Sequence, residues 1–197
     1  MAQTEPDLRD DFYAPADKPE PKSSRFRGAV EWIVIVAAAL VAALLIKTFL
    51  IQAFFIPSES MEPTLMVRDR VLVNKLSYHL HPIHRGDIVV FKRPPGETGD
   101  AAVKDLIKRV IGLPGDTISQ TQDGRVEING KALNEPYTHG KLTIGLTTLK
   151  IPKDKYFVMG DNRTNSKDSR VFGPISKSLI VGRAFIRVWP ITHIHLF

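Results

Sequence analysis

The chain has 197 residues, no cysteine and a formal net charge of +6. That length has room for one membrane segment and one domain of ordinary size, and the lack of cysteine excludes disulfides, thiolate metal sites and a cysteine nucleophile. The positive excess lies in residues 57–197, and it favours contact with anionic lipid headgroups over nucleic acid, because no aromatic-basic stripe or nucleic-acid motif accompanies it.

Residues 1–27 are polar, mixed in charge and broken by Pro6, Pro15, Pro19 and Pro21. They bury too little apolar surface to offset the entropy of ordering, so the expectation is a flexible tail. Residues 32–46 are uninterrupted and apolar, and the apolar pattern resumes after Lys47 and Thr48 as far as Ile56. A stretch of about 25 such residues crosses a bilayer with some tilt. The expected anchor helix therefore covers residues 28–56, with Lys47 snorkelling to the headgroups and Pro57 ending the helix. Lys22, Arg25 and Arg27 precede the span, which puts the tail in the cytoplasm and residues 57–197 outside. A cleaved leader fits less well, because the polar lead is long and the apolar region extended.

Beyond Pro57 the chain reads as strands. Val71-Leu72-Val73, Ile88-Val89-Val90-Phe91, residues 106–111, Tyr156-Phe157-Val158-Met159 and residues 179–188 are short runs rich in β-forming residues. Val126-Glu127-Ile128 and Lys131-Ala132-Leu133 flank Asn129-Gly130, a pair suited to a hairpin turn with positive φ at both central positions. No amphipathic helix is evident. The expected domain is mostly β, short-stranded and barrel-like.

Two residues carry candidate chemistry. Ser60 lies in Ile56-Pro57-Ser58-Glu59-Ser60-Met61-Glu62-Pro63-Thr64-Leu65, and Lys108 in Ile107-Lys108-Arg109-Val110-Ile111-Gly112-Leu113-Pro114-Gly115-Asp116. A serine hydroxyl attacks well only when a base removes its proton. None of the six histidines lies in a Ser-His-Asp-like motif, and there is no Gly-x-Ser-x-Gly elbow. His79, His81 and His84 are interrupted by Pro82 and lack an obvious carboxylate, so they read as a solvated loop rather than a metal site. Lysine serves as a base only if burial disfavours its ammonium form. Strand alternation puts Lys108 and Arg109 on opposite faces, both apolar, and does not choose between them. Arginine keeps its proton in proteins, so Lys108 is the candidate.

A third polar segment, Gly160-Asp161-Asn162-Arg163-Thr164-Asn165-Ser166-Lys167-Asp168-Ser169-Arg170, sits between hydrophobic runs. Together with Gly86-Asp87-Ile88-Val89-Val90-Phe91, these segments resemble, in order, the motifs of the type I signal peptidases, which are membrane-bound Ser-Lys endopeptidases. The resemblance runs from the anchor to about Pro174. It implies Ser60 as nucleophile, Lys108 as general base, and Ser58 as a hydroxyl donor to the oxyanion beside the Ser60 N–H. It implies that Ser166 holds the Lys108 amine, with Asp161, Asp168 and Arg170 as a supporting polar network. It further implies signal-peptide-bearing preproteins as substrates, membrane lipid as surroundings, a bacterial plasma-membrane location, and no metal or cofactor. Thr164 departs from the acidic residue many members carry there. Three other readings stand beside this one. An SOS-type autoprotease fits poorly, because the chain lacks its Ala-Gly or Cys-Gly bond. A specialised pilin or conjugation peptidase shares the same pair, and an inactive peptide-binding β module would need a hidden defect.

Overall fold

The computed structural model describes residues 23–45, 50–98 and 102–197. The chain forms two compact units, residues 1–43 and 44–197. In the first, helix α1 (Ser23–Leu45) contains the 18-residue window Arg27–Leu44, long and apolar enough to cross a membrane. Trp32, Ile33, Leu40 and Leu44 are all exposed on it. A helix apolar all round needs an apolar surrounding, because leaving such side chains in water costs about 1.5–3 kcal/mol each. The helix begins at Ser23, inside the segment expected to be a flexible tail. The rest of that tail, residues 1–22, and Lys47 lie outside the described residues.

The second unit is mostly β, as expected, and its strands form two sheets. The larger has the order β1-β2-β11-β3-β4-β9-β10, with β12 also paired to β11. Its strands are β1 (Ile51–Phe55), β2 (Arg70–Asn74), β3 (Ile88–Lys92), β4 (Asp105–Gly112), β9 (Lys155–Met159), β10 (Ile175–Ser176), β11 (Ile180–Trp189) and β12 (His195–Leu196). The smaller has the order β7-β6-β5-β8, from β5 (Thr117–Gln120), β6 (Val126–Ile128), β7 (Lys131–Ala132) and β8 (Leu149–Lys150). The hairpin between β6 and β7 turns at Asn129 and Gly130, with φ of 54° and 75°. Helices α2 (Ser77–Leu80) and α3 (Ser169–Phe172) are single turns.

The expected helix over 28–56 is overturned at its C-terminal end. Residues 51–55 form β1, which pairs antiparallel with β2 from Ile51↔Asn74 to Phe55↔Arg70. Apolar content alone does not separate a strand from a continuing helix, and here an open edge of β2 supplies the backbone partners.

Strand β3 shows why the apolar runs in this chain are continuous. Ile88 and Val90 pack into a cluster with Ile56, Met61, Leu65 and Ile107, while Val89 and Phe91 pack into another with Val110 and Val158. A strand covered on both faces has no reason to alternate. The first cluster holds the segment after β1, and the second packs behind β4 and β9.

Candidate active site

Ser60 sits on a short 3-10 turn, Glu59–Met61, directly after β1. The flanking apolar side chains fix it. Ile56, Met61 and Leu65 are fully buried, and the Leu65 N–H donates to the Met61 carbonyl at 2.9 Å. Ile56 exchanges backbone hydrogen bonds with the loop before β2, accepting from Arg68 N–H at 2.9 Å and donating to the Asp69 carbonyl at 3.0 Å.

Lys108 lies in the middle of β4, between β3 and β9. Its side chain folds back to the Ser60 turn. Nζ lies 2.6 Å from Ser60 Oγ and donates to the Ile107 carbonyl at 3.0 Å. Lys108 is 4% exposed and Ser60 8%. Burial pushes the Lys108 amine down from 10.5 to about 8, against the opposing pull of the Asp168, Glu97 and Asp161 carboxylates. Ser58 is exposed, and its hydroxyl lies 3.2 Å from that of Ser60.

The 160–170 segment packs against this pair. Asp161, fully buried, takes a two-pronged ion pair from Arg109 at 2.8 and 2.7 Å and a hydrogen bond from the Thr64 hydroxyl at 2.5 Å. Arg109 also stacks 4.1 Å over the Tyr137 ring. Asp168 caps α3, accepts from the Gly160 N–H at 3.1 Å and pairs with Arg170 Nε and Nη2, each at 2.8 Å. Arg170 Nη1 then donates to the Arg163 carbonyl at 2.8 Å, closing the segment on itself. Thr164 is exposed, its hydroxyl 3.5 Å from Asn162 Oδ1.

Of the sequence-derived residues, Ser60 and Lys108 come together at 2.6 Å with the Ser58 hydroxyl beside that of Ser60, while Asp161 and Asp168 are held in ion pairs with Arg109 and Arg170. Ser166 differs from expectation in its bonding. Its hydroxyl is buried and has no hydrogen-bond partner among the described residues. It lies against Gly160, where an added Cβ would collide with both Ser166 Oγ and the Ser60 carbonyl. His79, His81 and His84 are exposed.

Two residues that grip the Ser60 turn were missed by sequence reasoning. Asn162 donates its N–H to the Ser60 carbonyl at 3.2 Å and its side-chain amide to the Glu59 carbonyl at 3.1 Å. Asn165 donates to the Glu59 carboxylate at 2.9 Å. Both lie inside the polar segment quoted above, but nothing in their spacing announces a bond to a turn a hundred residues earlier.

A cavity of about 340 Å³ opens beside the pair. Phe54, Ile56, Val90, Leu106 and Ile107 line it with apolar surface, and Ser58 and Lys108 stand at its wall. Arg93, Glu97 and Asp105 also line it, so a cavity that is apolar in most of its wall takes in a hydroxyl and a buried amine.

The family described as signal peptidase, peptidase S26, matches residues 29–189. A signal peptidase I of Leptolyngbya laminosa is 45% identical over 142 residues, covering 71% of this chain and 70% of that protein. A signal peptidase IB of Staphylococcus aureus is 36% identical over 179 residues, covering 82% and 90%. A crystal structure of a signal peptidase I from Enterococcus faecalis is 31% identical, with a TM-score of 0.42, and covers 52% of this chain and 97% of that one.

Proposed function

The chain belongs to the signal peptidase family, peptidase S26, and from that premise we propose that Ser60 and Lys108 form the dyad with which it cleaves signal peptides from exported preproteins. The observation that carries this reading is the 2.6 Å approach of Lys108 Nζ to Ser60 Oγ in a buried setting that lowers the amine to about 8. A neutral amine there accepts the Ser60 proton as Oγ bonds to the scissile carbonyl carbon. The Ser58 hydroxyl, with the Ser60 N–H, stabilises the oxyanion. As the C–N bond breaks, Lys108 passes the proton to the leaving amine. Lys108 then takes a proton from the water that attacks the acyl carbon, and returns it to Ser60 Oγ as the acyl C–Oγ bond breaks. Asp161, Asp168 and Arg170 keep the 160–170 segment seated against the dyad, and Ser166 presents its buried hydroxyl on the same side as the Ser60 carbonyl.

The substrate lies extended in the apolar cavity, adding to the strands that border it and placing small side chains against Ile56 and Ile107. The chain spans the bacterial plasma membrane once, through α1. The basic residues ahead of the span keep the N-terminus in the cytoplasm, and the β unit lies outside. Exposed Phe55, Trp189, Ile191, Ile194 and Leu196 give that unit an apolar surface suited to the lipid interface.

The test is cleavage of a preprotein by detergent-solubilised protein. Ser60→Ala and Lys108→Arg are each expected to lower the rate by about a thousandfold or more. The arginine variant keeps the charge and loses only the ability to become neutral. Cleavage at near wild-type rate by that variant would remove Lys108 as the base.

A further inference from the structure

The charges around Lys108 follow a pattern that reaches beyond the polar segment. Three carboxylates act on the buried amine: Asp168, Glu97 and Asp161. Each is held by its own arginine. Asp168 is paired with Arg170 at 2.8 Å, Asp161 with Arg109 at 2.7 Å, and Glu97 with Arg93 at 2.9 Å. Arg163, the remaining buried cation of the 160–170 segment, is taken up by Glu135 at 2.7 Å. Asp105, half-buried at the start of β4, also lines the cavity.

The Arg93–Glu97 pair stands apart from the other two. It lies between β3 and β4, outside every motif on which the family resemblance rests. It is in the wall of the same 340 Å³ cavity as Ser58 and Lys108, where every other side chain except Asp105 is apolar or belongs to the dyad region. The Glu97 side chain is only 6% exposed. Arg93, just after β3, is tied to the chain just before β4: its N–H donates to the Lys104 carbonyl at 2.9 Å and its Nε to the Val103 carbonyl at 3.0 Å. A peptide filling the cavity expels water, and Coulomb interactions across it then strengthen.

We propose that the Arg93–Glu97 ion pair is a positioning device for the catalytic base: Arg93 offsets the Glu97 carboxylate that shares the substrate cavity with Lys108, so that this carboxylate does not hold the amine in its charged form. The inference rests on Lys108 being the base. Its physical content is a balance. Burial drives the amine toward neutrality, and an uncompensated carboxylate in the same low-dielectric cavity reverses part of that drive. Asp161 and Asp168 are compensated by cations on β4 and α3. Glu97 is paired with Arg93, 2.9 Å away on the loop after β3.

The test is the pH dependence of preprotein cleavage by the detergent-solubilised full chain, for wild type, Glu97→Gln, Arg93→Gln and the double variant. Arg93→Gln is expected to move the acid limb to higher pH by about half a unit or more, roughly a threefold loss on the acid side relative to its own alkaline plateau. Glu97→Gln is expected to move the limb the other way, and the double variant to return it close to wild type. The displacement should be larger in kcat than in kcat/KM, since kcat reports the water-depleted complex. A Glu97→Gln limb superimposed on wild type overturns the proposal. So does an Arg93→Gln variant that loses its plateau with the limb unmoved, because the pair is then only a clasp for its loop. If Arg93→Gln fails to fold by circular dichroism, the isosteric Glu97→Gln decides alone. Cleavage by Lys108→Arg would instead sink the assignment of the base. An inactive Lys108→Arg combined with unmoved Glu97→Gln limbs sinks only the role of the pair.

Discussion

Two opposing influences act on the Lys108 amine. Taking an ammonium out of water disfavours its charge, and three nearby carboxylates favour it; burial prevails, and the amine falls to about 8. That outcome has a consequence for stability. Between about 8 and 10.5 the unfolded chain still carries a proton on this lysine that the folded chain has released. Raising the pH through that window therefore favours the folded state, by up to ~3 kcal/mol, and below it the full cost of the buried amine remains. Denaturant unfolding of wild type and Lys108→Met should diverge accordingly: wild type gains on the variant from pH 7 to pH 10.5, and parallel curves would contradict a lowered amine. At this scale the sequence was informative about chemistry and poor about surroundings. Ser60 and Lys108 were picked out by the motifs that resemble those of the signal peptidases; strand alternation alone did not separate Lys108 from Arg109. Asn162 and Glu97 were not picked out, because Asn162 reaches the Ser60 turn across 103 residues and Glu97 meets Lys108 only in the lining of one cavity.

The 160–170 segment works as a single part. Its glycine admits the Ser60 turn, its first asparagine bonds that turn twice, and its aspartates are closed by arginines. Gly160→Ala puts a methyl group into the Ser60 carbonyl and the Ser166 hydroxyl, which is expected to cost about 1–3 kcal/mol and most of the activity. Asn162→Ala removes the side-chain bond without filling space, and the expected result is a fall in kcat of about 10- to 100-fold with little change in KM, measured under single-turnover conditions. An unchanged kcat would show that Met61 and Leu65 alone seat the turn. Among the strands, β2, β3, β4, β9 and β11 were readable as β-branched runs, and the Asn129-Gly130 hairpin from its turn chemistry. Strand β1 was not. Its Ile-Gln-Ala-Phe-Phe sequence continues an apolar run, and only the register with β2, a long-range pairing, decides its conformation. The two-residue strands β8, β10 and β12 carry too little pattern to be recognised as separate strands.

The whole molecule divides into a helix that is apolar on all sides and a β unit with its own buried clusters. The division was legible in composition, because a long apolar run and a run of short β segments differ in period and length. It implies that chemistry and anchorage separate. A chain reduced to residues 50–197 should hydrolyse a soluble signal-peptide analogue within a few fold of the full chain. Its advantage on preproteins embedded in vesicles should vanish, since the anchor acts by raising the local concentration of enzyme at the membrane. Comparing the two rates on the two substrates checks this; equal losses on both would mean that α1 supports the fold of the β unit.

The most direct measurement is the titration of the Lys108 amine itself in the full-length, detergent-solubilised protein. Isotope labelling at the lysine side chain with NMR detection follows it, and the resonance absent from Lys108→Arg identifies it. A midpoint near 8 is predicted from burial. A midpoint at the ordinary lysine value of about 10.4 would mean that the amine is solvated, and that Ser60 has no neutral base within its reach.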